Sequence, residues 1–277
     1  MQESNLGPNR RAFLVAATAF ASSPLMAAQR RSHKKDASAT YVLIHGGSHG
    51  GWCWERVTPA LRSQGHIAYA PSLTGLADRS HLVGSNVDLE LHINDVVNLI
   101  NWEDLHNVIL VGHSYGGMVI TGIADRVPER VRQLVYLDAA HPKNGESLVD
   151  VTHGGINSTR KDGKTVNGVE LVCFATPAFL QTLGITKAED QAWLMSKLTP
   201  QPWRCFEQPL QLQNESALRR IPTTDIWRSM ILKQLDPDGT KRSSFATRVW
   251  EINSPSHDLM VTDPEQVSGM LLRLASV

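Results

Sequence analysis

The chain has 277 residues, 42% of them hydrophobic, which is enough for one sizeable core. Lys+Arg and Asp+Glu balance at 27 each, so no basic surface points to nucleic acid, and no apolar run nears the ~20 residues of a stable membrane-spanning anchor. Three cysteines, Cys53, Cys173 and Cys205, form no C-x-x-C pair, which argues against a structural zinc site and leaves a Cys173–Cys205 crosslink open.

The first segment reads as targeting rather than fold. Asn9-Arg10-Arg11-Ala12-Phe13-Leu14 resembles a twin-arginine export signal, an apolar stretch from Ala12 to Ala21 follows, and Ala27-Ala28 is a small-residue cleavage site. The expectation is a signal peptide over residues 1–28, a polar linker over 29–39, and export to the periplasm.

The folded domain, residues 40–277, opens on the apolar run Tyr41-Val42-Leu43-Ile44, suited to a buried parallel strand. A glycine-rich loop, His45 to Gly51, feeds a helix from about Trp54 to Gln64. A second strand over His66 to Pro71 precedes a helix over Val87 to Trp102, where Leu91, Val96, Leu99 and Ile100 recur at helical spacing. A strand over Asn107 to Gly112 runs into Gly112-His113-Ser114-Tyr115-Gly116, then a helix to Arg126, and Val131 to Leu137 is another buried strand ending at Asp138. Strands alternating with helices predict a mostly parallel sheet with helices on both faces.

From about residue 141 to 220 the pattern changes to short helical stretches broken by Pro200, Pro202 and Pro209, with no strong strand. A mainly helical cap inserted after the strand ending at Asp138 is expected. Alternation then resumes with a strand over Thr224 to Arg228, a helix and loop over Ile231 to Ser244, and a last strand over Thr247 to Ile252. The strand ends in Ser254-Pro255-Ser256-His257-Asp258, and a closing helix runs from Asp263 to Ala275 with Asp263 as N-cap and Pro264 in its first position.

The G-x-S-x-G pentapeptide between a strand and a helix is the arrangement that lifts a serine hydroxyl above a sheet edge, with glycines where a Cβ would not fit. Ser114 is therefore the expected nucleophile, and the Tyr115 amide an oxyanion donor at a helix N-terminus. A neutral serine needs a base, and His257 lies past the last strand, on the same sheet edge. The His45-Gly46-Gly47-Ser48 loop stands where a second donor is needed, and Gly47 is assigned to it, with Ser48 as the neighbouring alternative. His45 and His49 are expected to brace that loop through hydrogen bonds, and His113 to point away from the pocket.

With those residues in place the chain resembles the α/β-hydrolase fold from Thr40 to Ala275. His45-Gly46-Gly47-Ser48-His49-Gly50-Gly51-Trp52-Cys53-Trp54 resembles more narrowly a subgroup of plant methyl-ester esterases, hydroxynitrile lyases and bacterial pyrethroid-type carboxylesterases. The resemblance implies a serine esterase; its Ser–His chemistry needs no metal or organic cofactor, and the chain's tryptophans point to a small, apolar or aromatic ester. Two departures favour hydrolysis over cyanohydrin cleavage: Asp258 replaces the lysine of the lyases after the catalytic histidine, and Gly47 replaces their threonine.

A third departure concerns the acid. The subgroup carries it after the strand that follows the cap, and the matching stretch here, Ile226-Trp227-Arg228-Ser229-Met230-Ile231, contains no aspartate. Asp138 is the first choice, Asp236 or Asp238 the next, and Asp225 the least suited by its place inside a strand. Trp52, Trp193 and Trp203 are the expected aromatic pocket residues. A lactonase, a cofactor-free lyase or C–C hydrolase, and a non-catalytic binding protein on the same scaffold are the alternatives.

Overall fold

The computed structural model describes residues 38–173, 175–230 and 246–277, and the signal and the Ile231 to Ser244 stretch expected from sequence fall outside them. Six strands, β1 (Thr40–Ile44), β2 (Ile67–Tyr69), β3 (Val108–His113), β4 (Val131–Leu137), β8 (Thr223–Arg228) and β9 (Arg248–Ile252), form one sheet in the order β2-β1-β3-β4-β8-β9. Every neighbouring pair in it is parallel. Period-two alternation divides the apolar side chains between the two faces. Val42, Ile44, Leu110, Leu134 and Tyr136 pack with the helices Leu89–Trp102 and Gly116–Arg126. Tyr41, Leu43, Ile109, Val111, Val135 and Leu137 pack with the helices Thr58–Ser63 and Pro264–Ala275.

Strand order dictates where the site forms. The register pairs Ile44 with Gly112, His113 with Leu137, and Leu137 with Ile226, so β1, β3, β4 and β8 end together. The loops after them share one edge, the crevice outside the carboxyl ends of a parallel sheet. β9 lies three strands from β3, roughly 14 Å at about 4.8 Å per strand. The segment after β9 crosses that edge before the closing helix returns beneath β1, where Tyr41 Oη donates to the Leu271 carbonyl at 2.8 Å.

The insertion after β4 is mainly helical, but it also carries strands that the sequence reading lacks. β5 (Lys164–Val166), β6 (Val169–Val172) and β7 (Gln201–Pro202) form a small antiparallel sheet. Asn167 and Gly168 join β5 to β6 with φ of +50° and +78°, the left-handed pair that a two-residue hairpin turn requires. Val-Asn-Gly-Val was the available signal. Asp263 is the N-cap residue of the closing helix and Pro264 opens it, as expected, although its carboxylate accepts from the Ser254 and Thr262 hydroxyls at 2.6 and 2.7 Å rather than from a backbone amide. The crosslink left open by the sequence is not made: Cys205 is buried, with its thiol 3.7 Å from the Val87 carbonyl oxygen.

Candidate active site

Between β3 and the Gly116–Arg126 helix the chain reverses at Ser114, whose φ is +53°. A non-glycine residue in this left-handed region is strained by about 1–3 kcal/mol and persists only where its surroundings enforce it. The flanking glycines permit the reversal: a Cβ on Gly112 would stand 2.6 Å from the Gly116 carbonyl oxygen, and one on Gly116 would stand 2.8 Å from that of Ile44. Ser114 itself is partly exposed at the helix start.

The segment after β9 brings His257 over this turn. Ser114 Oγ lies 2.9 Å from His257 Nε2, and His257 Nδ1 lies 2.6 Å from Asp138 Oδ2. Nδ1 donates to the carboxylate, which leaves the Nε2 lone pair facing the serine hydroxyl. Asp138 follows β4 at φ +44°, and its amide donates to the Ile226 carbonyl at 2.8 Å. The same Oδ2 accepts from Arg228 Nε at 2.6 Å, while Arg228 Nη1 donates to the Pro255 carbonyl at 3.0 Å. Burial disfavours the Asp138 charge. The His257 hydrogen bond and charge, together with Arg228, outweigh it and hold the carboxyl below its ordinary value. Of the other acid candidates, Asp225 is fully buried within β8, 3.5 Å from His141 Nδ1, and Asp236 and Asp238 lie outside the described residues.

The glycine-rich loop is held peptide by peptide. His45 Nδ1 donates to the Gly46 carbonyl at 2.8 Å, and its Nε2 accepts from the Leu73 amide at 3.0 Å. Burial, only partly offset by the Gly46 bond, pushes His45 down to about 3, so it is neutral with one fixed tautomer. Because a trans peptide directs its N–H opposite its carbonyl, a tethered Gly46 carbonyl aims the Gly47 N–H the other way. The next peptide is gripped at both ends: His49 Nδ1 donates to the Gly47 carbonyl at 2.7 Å, and the Ser48 amide donates to Gln201 Oε1 at 2.7 Å. Ser48 is thereby removed as an alternative donor, its amide being engaged by the cap. Among the described residues, no hydrogen bond engages the Gly47 or Tyr115 amide.

His113 is buried behind His257, with ring centroids 4.7 Å apart, and its Nε2 donates to the His257 carbonyl at 2.9 Å. Burial, then repulsion from His257, push it down to about 3. Beside it His49 Nε2 meets Asp258 Oδ2 at 3.0 Å. The expected pocket tryptophans divide. Trp52 stacks on His49 at 5.4 Å and meets Trp193 edge-on at 5.0 Å. Trp203 is buried in the core, joined through Phe206 to Tyr115. Sequence reasoning missed Arg228 and Gln201, whose roles depend on pairings with no local signature. Among the described residues no group of three or more His, Cys, Asp and Glu is placed to hold a metal ion.

The sequence profile of the Alpha/beta hydrolase family matches residues 41–269. The chain belongs to that family. Relatives of this hydrolase include the "Carbendazim hydrolyzing esterase" of Nocardioides sp. (strain SG-4G), 41% identical over 178 residues, 63% of this chain and 74% of that one. "Esterase PIR7B" of Oryza sativa subsp. japonica is 23% identical over 262 residues, covering 85% and 95% of the two chains. Among solved structures the hydrolase superposes on tomato methylketone synthase I with a TM-score of 0.71 and 20% identity over 86% of this chain and 98% of that one, a likeness of fold.

Proposed function

We propose that this chain is a carboxylic ester hydrolase that works through Ser114, His257 and Asp138 by way of an acyl-enzyme. The observation that carries the reading is the continuous hydrogen-bonded line from Ser114 Oγ through His257 to Asp138, with links of 2.9 and 2.6 Å. The named esterases among the relatives support the same chemistry.

In this reading His257 Nε2 takes the Ser114 proton as Oγ attacks the ester carbonyl. The Gly47 and Tyr115 amides hold the oxyanion, each worth about 2.7–4 kcal/mol of transition-state stabilisation. The C–O bond to the alcohol breaks, and His257 gives that alcohol its proton. Water, deprotonated by His257, then attacks the acyl carbon and frees the acid, returning the proton to Ser114. Asp138 stays ionised and fixes the tautomer. Trp52 and Trp193 supply aromatic surface beside the oxyanion loop, which suits small apolar or aromatic esters. Asp258 is turned into its pair with His49 and offers no cation beside His257, which supports hydrolysis over lyase chemistry. Export through a twin-arginine signal over residues 1–28 to the periplasm belongs to the same proposal, and Arg10-Arg11 with the apolar stretch after it is its support.

The test is a panel of short acyl, aromatic and lactone esters, with carbendazim included because a relative is named for it. Wild type is expected to turn over aryl or methyl esters, and Ser114→Ala to fall to background. Full activity in Ser114→Ala rules the reading out.

A further inference from the structure

The loops after β1 and β9 meet at a buried pair that the reaction above does not use. His49 Nδ1 lies 2.7 Å from the Gly47 carbonyl oxygen, and Nε2 lies 3.0 Å from Asp258 Oδ2. A carbonyl oxygen only accepts, so Nδ1 carries a proton. Nε2 faces a carboxylate oxygen, with His49 4% and Asp258 0% exposed. An unprotonated nitrogen there would set a lone pair against an anion where water gives little relief. A 3.0 Å contact therefore requires a second proton between Nε2 and Oδ2.

We propose that the proton held between His49 and Asp258 positions the Gly47 oxyanion donor relative to His257, and that its loss at alkaline pH slackens the oxyanion hole. The proposal rests on the esterase reading for its effect on turnover, but not for the proton itself. The pair connects the two halves of the site: Asp258 directly follows the base, and His49 grips the Gly47–Ser48 peptide. His49 and Asp258 are positioning residues that touch neither substrate nor reacting atoms.

Among the described residues, the titratable and charged groups facing the pair are these. His113, at the end of β3, meets the His49 ring edge-on at 6.1 Å and has Nε2 3.8 Å from Asp258 Oδ1; it stays neutral, as does His45. Burial and the neighbouring Asp258 charge keep the Cys53 thiol protonated. His257 favours the Asp258 charge, and Lys197 Nζ lies 5.9 Å from the Trp52 ring that stacks on His49. Burial opposes a charge on His49, but the Asp258 carboxylate outweighs it and raises the imidazole above its ordinary value. Burial likewise opposes the Asp258 charge, and His49 more than compensates, holding the carboxyl low. A raised histidine is charged below its pKa and loses the charge as pH rises through it. The effect is therefore an alkaline limb.

Two readouts test this. Imidazole nitrogens in ¹⁵N-histidine-labelled protein are followed by NMR from neutral to alkaline pH, with His49 assigned by its loss in His49→Gln. Ester kinetics cover the same range. At neutral pH His49 is expected to show two protonated ring nitrogens, falling to one at the pH where kcat declines, with KM changing less. In Asp258→Asn the amide donates to Nε2, so His49 holds one ring proton throughout. The alkaline limb disappears, and neutral kcat drops about tenfold, below the ~10²–10³-fold cost of removing a donor outright. One ring proton on wild-type His49 at neutral pH overturns the proposal, and so does an alkaline limb unmoved in Asp258→Asn. If the variant does not fold, the wild-type titration decides. An absence of ester turnover counts against the esterase reading, whereas the ring-proton count bears on the pair alone.

Discussion

Two residues beside His257 differ in how far the sequence could announce them. Asp138 ends a buried strand next to the nucleophile strand, so strand order alone brings it near Ser114. Arg228 stands at the end of β8, where the resembling subgroup carries its acid, yet it donates to Asp138 at 2.6 Å across a separation of 90 residues. Replacing Asp138 by Asn should leave the fold in place but favour the wrong His257 tautomer, lowering kcat by about 10⁴-fold; steady-state kinetics check it, and near-full turnover would remove Asp138 from the site. Arg228→Gln takes away one of two donors to a buried carboxylate. It should cost about 1–3 kcal/mol in denaturant unfolding and lower kcat. The pH dependence has a definite sign. Asp138 is depressed in the folded state, so the stability it lends is present above the ordinary carboxylate range and lost as pH falls through the depressed value. Arg228→Gln should therefore raise the pH at which acid unfolding begins.

At the scale of elements, the core strands and their helices were legible because each carries its own period. Buried parallel strands read as continuous apolar runs, and amphipathic helices repeat every three to four residues. The cap was legible as an insertion and less so in detail, because its elements are short. Its hairpin did carry a local signal at Asn167-Gly168. The grip of the cap on the oxyanion loop carried none: Gln201 reaches the Ser48 amide across 153 residues, and the Thr199 amide donates to the Ser48 carbonyl at 2.9 Å. Pairings that distant arise only from packing. Gln201→Leu should strand the buried Ser48 amide, at about 1–3 kcal/mol of stability. It should lower kcat more than it raises KM, since an oxyanion donor acts mainly in the transition state. Chemical denaturation and ester kinetics on the same preparation separate the two effects.

For the whole molecule, chain order and site geometry answer one requirement. A parallel sheet collects its loops at one edge, and the last segment must cross from β9 past β8 and β4 to set His257 over Ser114. The His257 amide donates to the Leu183 carbonyl of the cap at 2.7 Å, so core and cap both hold the base. That crossing also sets Asp258 against the loop after β1, 209 residues from His49, a meeting the histidine pattern did not disclose. Wild-type chain should be recovered outside the cytoplasm starting near Gln29, and Arg10→Lys with Arg11→Lys should retain it inside, by fractionation and N-terminal analysis.

The proposed mechanism stands on Ser114 carrying the acyl group. The direct measurement is rapid acid quenching during turnover of an aryl ester, followed by intact mass and peptide mapping. An added acyl mass is expected on the peptide containing Ser114, longer-lived when the base is removed in His257→Ala under a more reactive ester, and absent in Ser114→Ala. An acyl group found on another residue, or a Ser114→Ala protein that hydrolyses the ester as wild type does, would contradict it.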